Sequence, residues 1–403
     1  MKIDTPESVG MSSERLDRIT PIMEGFVKDN QMPGILTVVQ RYDKIVHVGK
    51  YGLMDIEASK PMHEDALFRI YSMTKPVVSV ALMMLLEDGR ISLKDPVSKY
   101  IPAFGKTKVY AGSGALGLTL VDQDPEMTLH HLLTHTSGLS YGWFFDNPVE
   151  ELYRQTAPKI FHRDQTLKES VETLAELPLL FQPGTEWHYS LAVDVIGRVI
   201  EVVADMPLAD FLEERIFKPL GMVDTAFAVP TEKTDRLAQI YGSKALYDPY
   251  PIPPQDVGMI GDVTTPTLCP CGGAGLISTA ADYLAFCTCL LHGGHYEDGV
   301  LISRKTLDWM TADHIPASMK PLRNGPEVFD HGFGLGFRVT TTLGERRTLS
   351  SVGEYGWAGA ANTYFWIDPA EQLIGVMMTQ HMPLLDYPVQ DRFRNLAYQA
   401  IVD

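Results

Sequence analysis

From Thr37 to Val48 the residues are largely apolar or β-branched on both sides of a charged turn at Arg41 to Lys44, which predicts a hairpin of sheet strands. Matching patterns return only near the C-terminus, in Gly334 to Thr341, Thr363 to Ile367 and Leu373 to Thr379. The two ends of the chain are therefore expected to share one sheet. Between them, Leu167 to Leu177, Ala192 to Ala204 and Leu208 to Ile216 carry apolar residues at helical spacing. The stretch PVVSVALMMLLEDG, from Pro76, is apolar on nearly every face until Glu87 and predicts a helix buried in the middle of the molecule. Pro76 is tolerable only in a first turn, which starts that helix near Ser72, and Gly89 closes it. Residues Lys244 to Pro270, rich in Pro, Gly, Thr and Tyr with little periodicity, read as a long loop of the kind that forms lids or stays disordered.

These elements predict an α/β fold of the α+β type. Its antiparallel sheet, flanked by helices, is built from both chain ends (residues 1–95 and 265–403), and a mainly helical domain (96–264, with the loop at 244–270) is inserted between them. A length of 403 residues with 45% hydrophobic and 21% charged positions fits such a two-domain globular chain and excludes disordered and fibrous classes. Fifty-one acidic against 34 basic residues leave a formal charge of −17, which repels phosphate backbones and anionic lipid, so neither nucleic acid nor a membrane is an expected partner. The N-terminal MKIDTPESVGMSSERLDRI has no apolar run after Lys2, and no stretch approaches the ~18 apolar residues of a spanning helix, so a cytoplasmic location is expected.

Several local patterns lead nowhere chemically. The cysteines fall as Cys269-Pro-Cys271 and Cys287-Thr-Cys289, with His292 and His295 after them, a spacing that matches no standard zinc module. Cys287 and Cys289 sit in a stretch that reads as a buried helix, so free thiols packed as small hydrophobes are expected. Gly112-Ser-Gly114-Ala-Leu-Gly117 has the spacing of a dinucleotide fingerprint, but LTLVDQDPEMT after it is not a helix, which leaves a flexible loop. His131-Leu-Leu-Thr-His135 places two imidazoles as zinc peptidases do, yet Leu132 stands where the general-base Glu is needed.

Ser72-Met-Thr-Lys75 is different. A hydroxyl and an amine three residues apart share one side of a helical turn, where a desolvated lysine can serve as, or assist, the base that activates the serine. At a helix N-terminus the nucleophile would also face free amides and the positive dipole end, which favour a developing oxyanion.

In these residues and their surroundings the chain resembles the serine β-lactamase and penicillin-binding-protein superfamily, on its class C-like branch. The landmarks stand in family order: LFRIYSMTKP, LEDGRISLKDPVSKYIP, LLTHTSGL, FQPGTEWHYS, FKPLGM, GGAGLISTAADYLAF and GWAGAANTYFWIDP. The resemblance implies a sheet domain from both chain ends, a helical insertion and an active site between them. The family's Tyr-x-Asn element corresponds to Tyr189-Ser190-Leu191, so Tyr189 is expected to exchange protons with nucleophile and leaving group. Leu191 removes an amide that often contacts acylamide substrates. The family's third element, usually Lys-Thr-Gly or His-Thr-Gly, corresponds to Trp357-Ala358-Gly359, and an apolar Trp357 in place of a cation resembles the carboxylesterases called family VIII. By the same resemblance the backbone N–H groups of Ser72 and Ala360 should form the oxyanion hole, with Trp357, Ala358, Gly359 and Leu191 lining the substrate site, and His135 should be structural.

The expected activity is hydrolysis of short, uncharged carboxylic esters through an acyl-enzyme on Ser72, with Lys75 and Tyr189 handling the proton and no metal or organic cofactor. A β-lactamase or D-amino-acid peptidase, and an acyltransferase to an alcohol, are the neighbouring chemistries. A non-catalytic binding protein of the same fold is the alternative of another class. The aromatic segment Tyr141 to Phe145 either lines the pocket or packs in the helical domain.

Overall fold

The computed structural model describes residues 1–114, 117–243, 249–251, 260–324, 327–344, 347–384 and 386–403. Helix α1 (Ile19–Lys28) leads into strands β1 (Gly34–Arg41) and β2 (Lys44–Asp55). Their two-residue turn puts Tyr42 and Asp43 at φ of 47° and 62°, the left-handed pair that matches the twist of a tight hairpin. After the short β3 (Lys60–Pro61) come helices α2 (Thr74–Glu87), α3 (Leu167–Leu174), α4 (Ala192–Ala204) and α5 (Ala280–Leu291). The chain returns to the sheet as β4 (Gly332–Phe333), β5 (Arg338–Val339), β6 (Tyr355–Ala358), β7 (Tyr364–Asp368) and β8 (Leu373–Thr379), and ends in helix α6 (Val389–Tyr398).

The sheet runs β4-β5-β6-β7-β8-β1-β2-β3, antiparallel throughout. Its join is β8 beside β1, with Ile35 opposite Thr379 and Arg41 opposite Leu373, so both chain ends do share one sheet. Side chains alternate between its faces. Leu36 and Val38, Phe365 and Ile367, and Ile374, Val376 and Met378 join the main core with α2 and α5, whereas Ile35, Val39, Tyr364, Trp366, Leu373 and Met377 pack against α1 and α6. Burial on both faces is why these strands read as apolar runs rather than as alternation. Each fully buried large aliphatic or aromatic side chain contributes roughly 1.5–3 kcal/mol.

Four segments depart from the sequence-based expectation. Gly334 to Thr341 is not one strand: β4 ends at Phe333, Gly334 N–H donates to the Phe337 carbonyl (2.8 Å), and pairing resumes at Arg338. Two glycines in GLG, Gly336 at φ 92°, break the ladder there. Leu208 to Ile216 is α-helical only to Leu212 and continues as a π turn over Glu213–Phe217, ahead of Pro219, whose missing N–H cannot carry an α ladder on. The glycine-rich segment is a hairpin of Val109–Gly114 with Gly117–Val121, residues 115–116 lying outside the described residues; its described residues are strand rather than the helix that a dinucleotide fingerprint opens. Within the expected long loop, Pro249–Pro251 pairs with Tyr241–Ser243 and Ile260, Val263 and Cys269 are buried, while residues 244–248 and 252–259, which would decide whether it acts as a lid, lie outside the described residues. Among the described residues no helix is long and apolar enough to cross a membrane, and no group of three or more His, Cys, Asp or Glu could hold a metal ion. All four cysteines are free and buried.

Candidate active site

Every residue from Ala66 to Leu85 is buried except one, Ser72, which is half-buried. The helix does not begin at Ser72. A 3-10 turn, Tyr71–Met73, carries the serine and hands over to α2 at Thr74. Tyr71 takes φ 43°, a left-handed conformation that costs a residue with a Cβ about 1–3 kcal/mol and persists only where its surroundings hold it. Part of that hold is visible at the end of β6. A Cβ on Gly359 would stand 2.4 Å from the Ile70 carbonyl oxygen, so only glycine lets the strand approach this closely. Thr363 Oγ1 donates to that same carbonyl (3.3 Å), and Ala360 and Ala361 pack in the apolar cluster that contains Tyr71. The backbone at Ala360 is thereby brought alongside the segment that carries Ser72.

Lys75 is 1% exposed, and its Nζ donates to Ser72 Oγ (3.2 Å), to the Tyr141 hydroxyl (2.9 Å) and to the Gly273 carbonyl (2.6 Å). It also lies 4.7 Å from the centroid of the Tyr189 ring and 5.5 Å from that of Tyr141. Ser72, Lys75 and Tyr189 are thus brought together, with Tyr189 meeting Lys75 through its ring face. The Tyr189 hydroxyl instead accepts from Trp357 Nε1 (3.2 Å). Trp357, partly exposed, packs its ring against Tyr189 and Phe333, with centroids 5.4 and 5.2 Å apart.

One expected lining residue lies elsewhere. Successive side chains of β6 point to opposite faces, so Ala358 packs on the α1 and α6 side, away from Trp357. Leu191, at the start of α4, is buried in the main core, the cluster that also takes in Tyr141 and against which Tyr189 and Trp357 pack.

Two residues around Lys75 were missed or left open by the sequence. Tyr141 belongs to the site, because its hydroxyl holds Lys75; its only sequence signal was a place just beyond LLTHTSGL. Burial, reinforced by Tyr189 and Asp194, holds that phenol well above its ordinary pKa, so Tyr141 stays neutral. Asp194 is fully buried on α4, and its Oδ1 accepts from the N–H of Gly273, the residue whose carbonyl binds Lys75. A lone carboxylate inside AVDVIG was the signal for it. His135, at φ 54°, is also fully buried; its carbonyl accepts from His188 N–H (2.8 Å) and its Nδ1 from Ser190 N–H (3.3 Å), which fixes the backbone on both sides of Tyr189. Burial and the nearby Lys75 charge push its pKa well below 6.5, so the imidazole remains neutral.

Burial raises the Asp194 pKa to about 6, against a partial lowering by Lys75. Between the unfolded value near 3.8 and about 6 the native state binds the extra proton, so stability falls as pH rises through this window. A shift of that size corresponds to roughly 3 kcal/mol. Asp194→Asn keeps the acceptor for Gly273 and abolishes the titration. Thermal melts at pH 4 and pH 8 should show the variant gaining on wild type at the higher pH, and an unchanged difference would place the titration elsewhere.

An amine within reach of a half-exposed serine hydroxyl, two tyrosines around it and a backbone strand end opposite form an arrangement able to take a proton from Ser72 as its oxygen attacks a carbonyl. The chain matches the Beta-lactamase family model over residues 19–399. It is 34% identical over 279 residues to Esterase EstB of Burkholderia gladioli, covering 66% of this chain and 68% of that protein. It is 31% identical over 333 residues to a lovastatin esterase of Penicillium rubens, covering 79% and 80%. Among solved structures, EstCE1, described as a hydrolase with promiscuous acyltransferase activity, superposes with a TM-score of 0.79 at 26% identity, covering 96% of this chain and 98% of that one.

Proposed function

The chain belongs to the beta-lactamase family, and from that premise we propose that it is a carboxylesterase that cleaves short, uncharged esters through an acyl-enzyme on Ser72. The observation that carries this reading is the single accessible hydroxyl in a buried run of backbone, 3.2 Å from a buried lysine amine. Ser72 Oγ attacks the ester carbonyl carbon and its proton passes to the Lys75 and Tyr189 pair. The tetrahedral oxyanion is held by the N–H groups of Ser72 and Ala360, each worth about 3 kcal/mol of barrier. As the C–O bond to the alcohol breaks, the leaving oxygen takes a proton from the Lys75 and Tyr189 pair. Water then attacks the acyl carbonyl, the same pair removes its proton, and Ser72 is released with its hydroxyl restored.

Support for an ester rather than a β-lactam comes from Trp357, an apolar ring where relatives use a cation, and from Leu191, an aliphatic core residue where they use an amide. A second reading, transfer of the acyl group to an alcohol, is favoured by the name EstCE1 carries and uses the same intermediate. The site would lie between the sheet part (1–95 and 265–403) and the inserted helical part (96–264).

Labelling with a fluorophosphonate and sequencing the modified peptide by mass spectrometry should place the adduct on Ser72, with 4-nitrophenyl butyrate turned over by the unlabelled protein. An adduct on another serine would overturn the assignment. Adding an alcohol to the assay and analysing products separates hydrolysis from acyl transfer.

A further inference from the structure

We propose that Trp143 is a specificity-determining residue, whose indole is the surface on which a flat, apolar part of the ester substrate lies; this rests on the carboxylesterase reading. Trp143 is 62% exposed, more than any other aromatic side chain among the described residues. A large exposed ring stacked into the wall of a reactive site offers an apolar face to a ligand. Trp143 stacks on Tyr141 with centroids 4.8 Å apart and planes 16° from parallel. Tyr141 is in turn bonded to Lys75. From there the rings continue, Tyr141 to Tyr189 at 5.5 Å and Tyr189 to Trp357 at 5.4 Å. Trp143 and Trp357 thus close the two ends of one uncharged aromatic arc drawn around the lysine amine.

The exposed end of the arc is built rather than loose. Gly142, at φ 87°, has no room for a Cβ, which would meet Arg154 N at 2.9 Å. Its N–H donates to Ser140 Oγ (3.1 Å) and its carbonyl accepts from the Arg154 guanidinium (2.9 Å). Ser140 Oγ in turn donates to Glu150 Oε1 (2.8 Å) and meets His188 Nε2 at 3.0 Å, all three side chains being buried. Ser140 and His188 immediately precede Tyr141 and Tyr189 in the chain, so one buried network sets the tyrosines and, through Gly142, the indole beyond them. A surface so fixed and so apolar suits an aryl group or another flat hydrocarbon better than a charged or strongly hydrated one.

The test compares Trp143→Ala and Trp143→Phe with wild type on three esters: 2-naphthyl acetate, ethyl 2-naphthoate and ethyl acetate. Trp143→Ala should lose about tenfold in kcat/KM on the naphthyl ester whose ring reaches the indole, through KM rather than kcat, and less than twofold on ethyl acetate. Trp143→Phe should recover most of the loss. Whether the loss falls on the acetate or on the naphthoate assigns the indole to the alcohol or the acyl side. Equal losses on all three esters, or a loss confined to kcat, would make Trp143 a structural residue and overturn the inference, as would no loss on either naphthyl ester. Failure of wild type on all three esters would instead remove the carboxylesterase reading and this inference with it.

Discussion

Ser72→Ala should lower ester turnover by about 10⁴–10⁶-fold while leaving the fold nearly intact. The effect is large because, among the described residues of the site, no other group is placed to form the covalent bond: Lys75 is buried, Ser140 is fully buried and bonded to Glu150 and His188, Tyr141 is held neutral, and the Tyr189 hydroxyl is engaged by Trp357. The structural cost is small because the change removes one oxygen from a half-exposed residue and leaves Lys75 with the Tyr141 hydroxyl and the Gly273 carbonyl as partners. Lys75→Ala is a different experiment. It opens a cavity in α2 and strands two buried acceptors, so its loss of activity mixes chemistry with destabilisation. Because serine and lysine act as a unit, the double variant should be hardly slower than either single one. The measurement is initial rate on 4-nitrophenyl butyrate beside a thermal melt. Ordinary turnover by a folded Ser72→Ala protein would sink the mechanism.

The frame of this molecule was legible wherever a pattern had a local cause. Strands buried on both faces announce themselves as apolar runs, and a helix apolar all round announces its place at the centre, so β1, β7, β8 and α2 could be placed from the sequence, with β2 following β1 through the charged turn between them. Ser72 and Lys75 were legible for the same reason, since a hydroxyl and an amine opening such a helix have no packing explanation. What escaped were relations between distant segments. The Tyr141 hydroxyl meets Lys75 across 66 positions, and Gly273 meets it across 198. Neither contact has a periodicity to betray it. Ala358 was misplaced because a three-residue motif was taken as one surface, although the pleat sends its middle residue to the other face. The π turn after Leu212 and the break at Gly334 to Phe337 depend on single residues, Pro219 and the glycines, whose effect on a ladder is local and easily outweighed in a pattern count.

Trp357 carries the second large expectation, the choice between ester and β-lactam. The carboxylate of a penicillin or cephalosporin would meet an indole packed against Tyr189 and Phe333, and its partial desolvation without a partner costs roughly 1–3 kcal/mol. That converts to a preference of about 5- to 150-fold in kcat/KM for a neutral butyrate ester over a chromogenic cephalosporin. Trp357→Lys should narrow the gap by supplying a cation on the same strand, yet it also removes the Nε1–H that now points at the Tyr189 hydroxyl and the aromatic wall packed against Tyr189 and Phe333. Ester turnover should therefore fall in this variant even as the cephalosporin gains in relative terms. Trp357→Phe separates the two losses, since it keeps an aromatic wall and deletes only the donor. If Trp357→Phe retains ester turnover, the wall matters more than the hydrogen bond; if it falls as far as Trp357→Lys, the orientation of Tyr189 is what Trp357 secures. A wild type that prefers the cephalosporin would overturn the carboxylesterase assignment and leave the family membership standing.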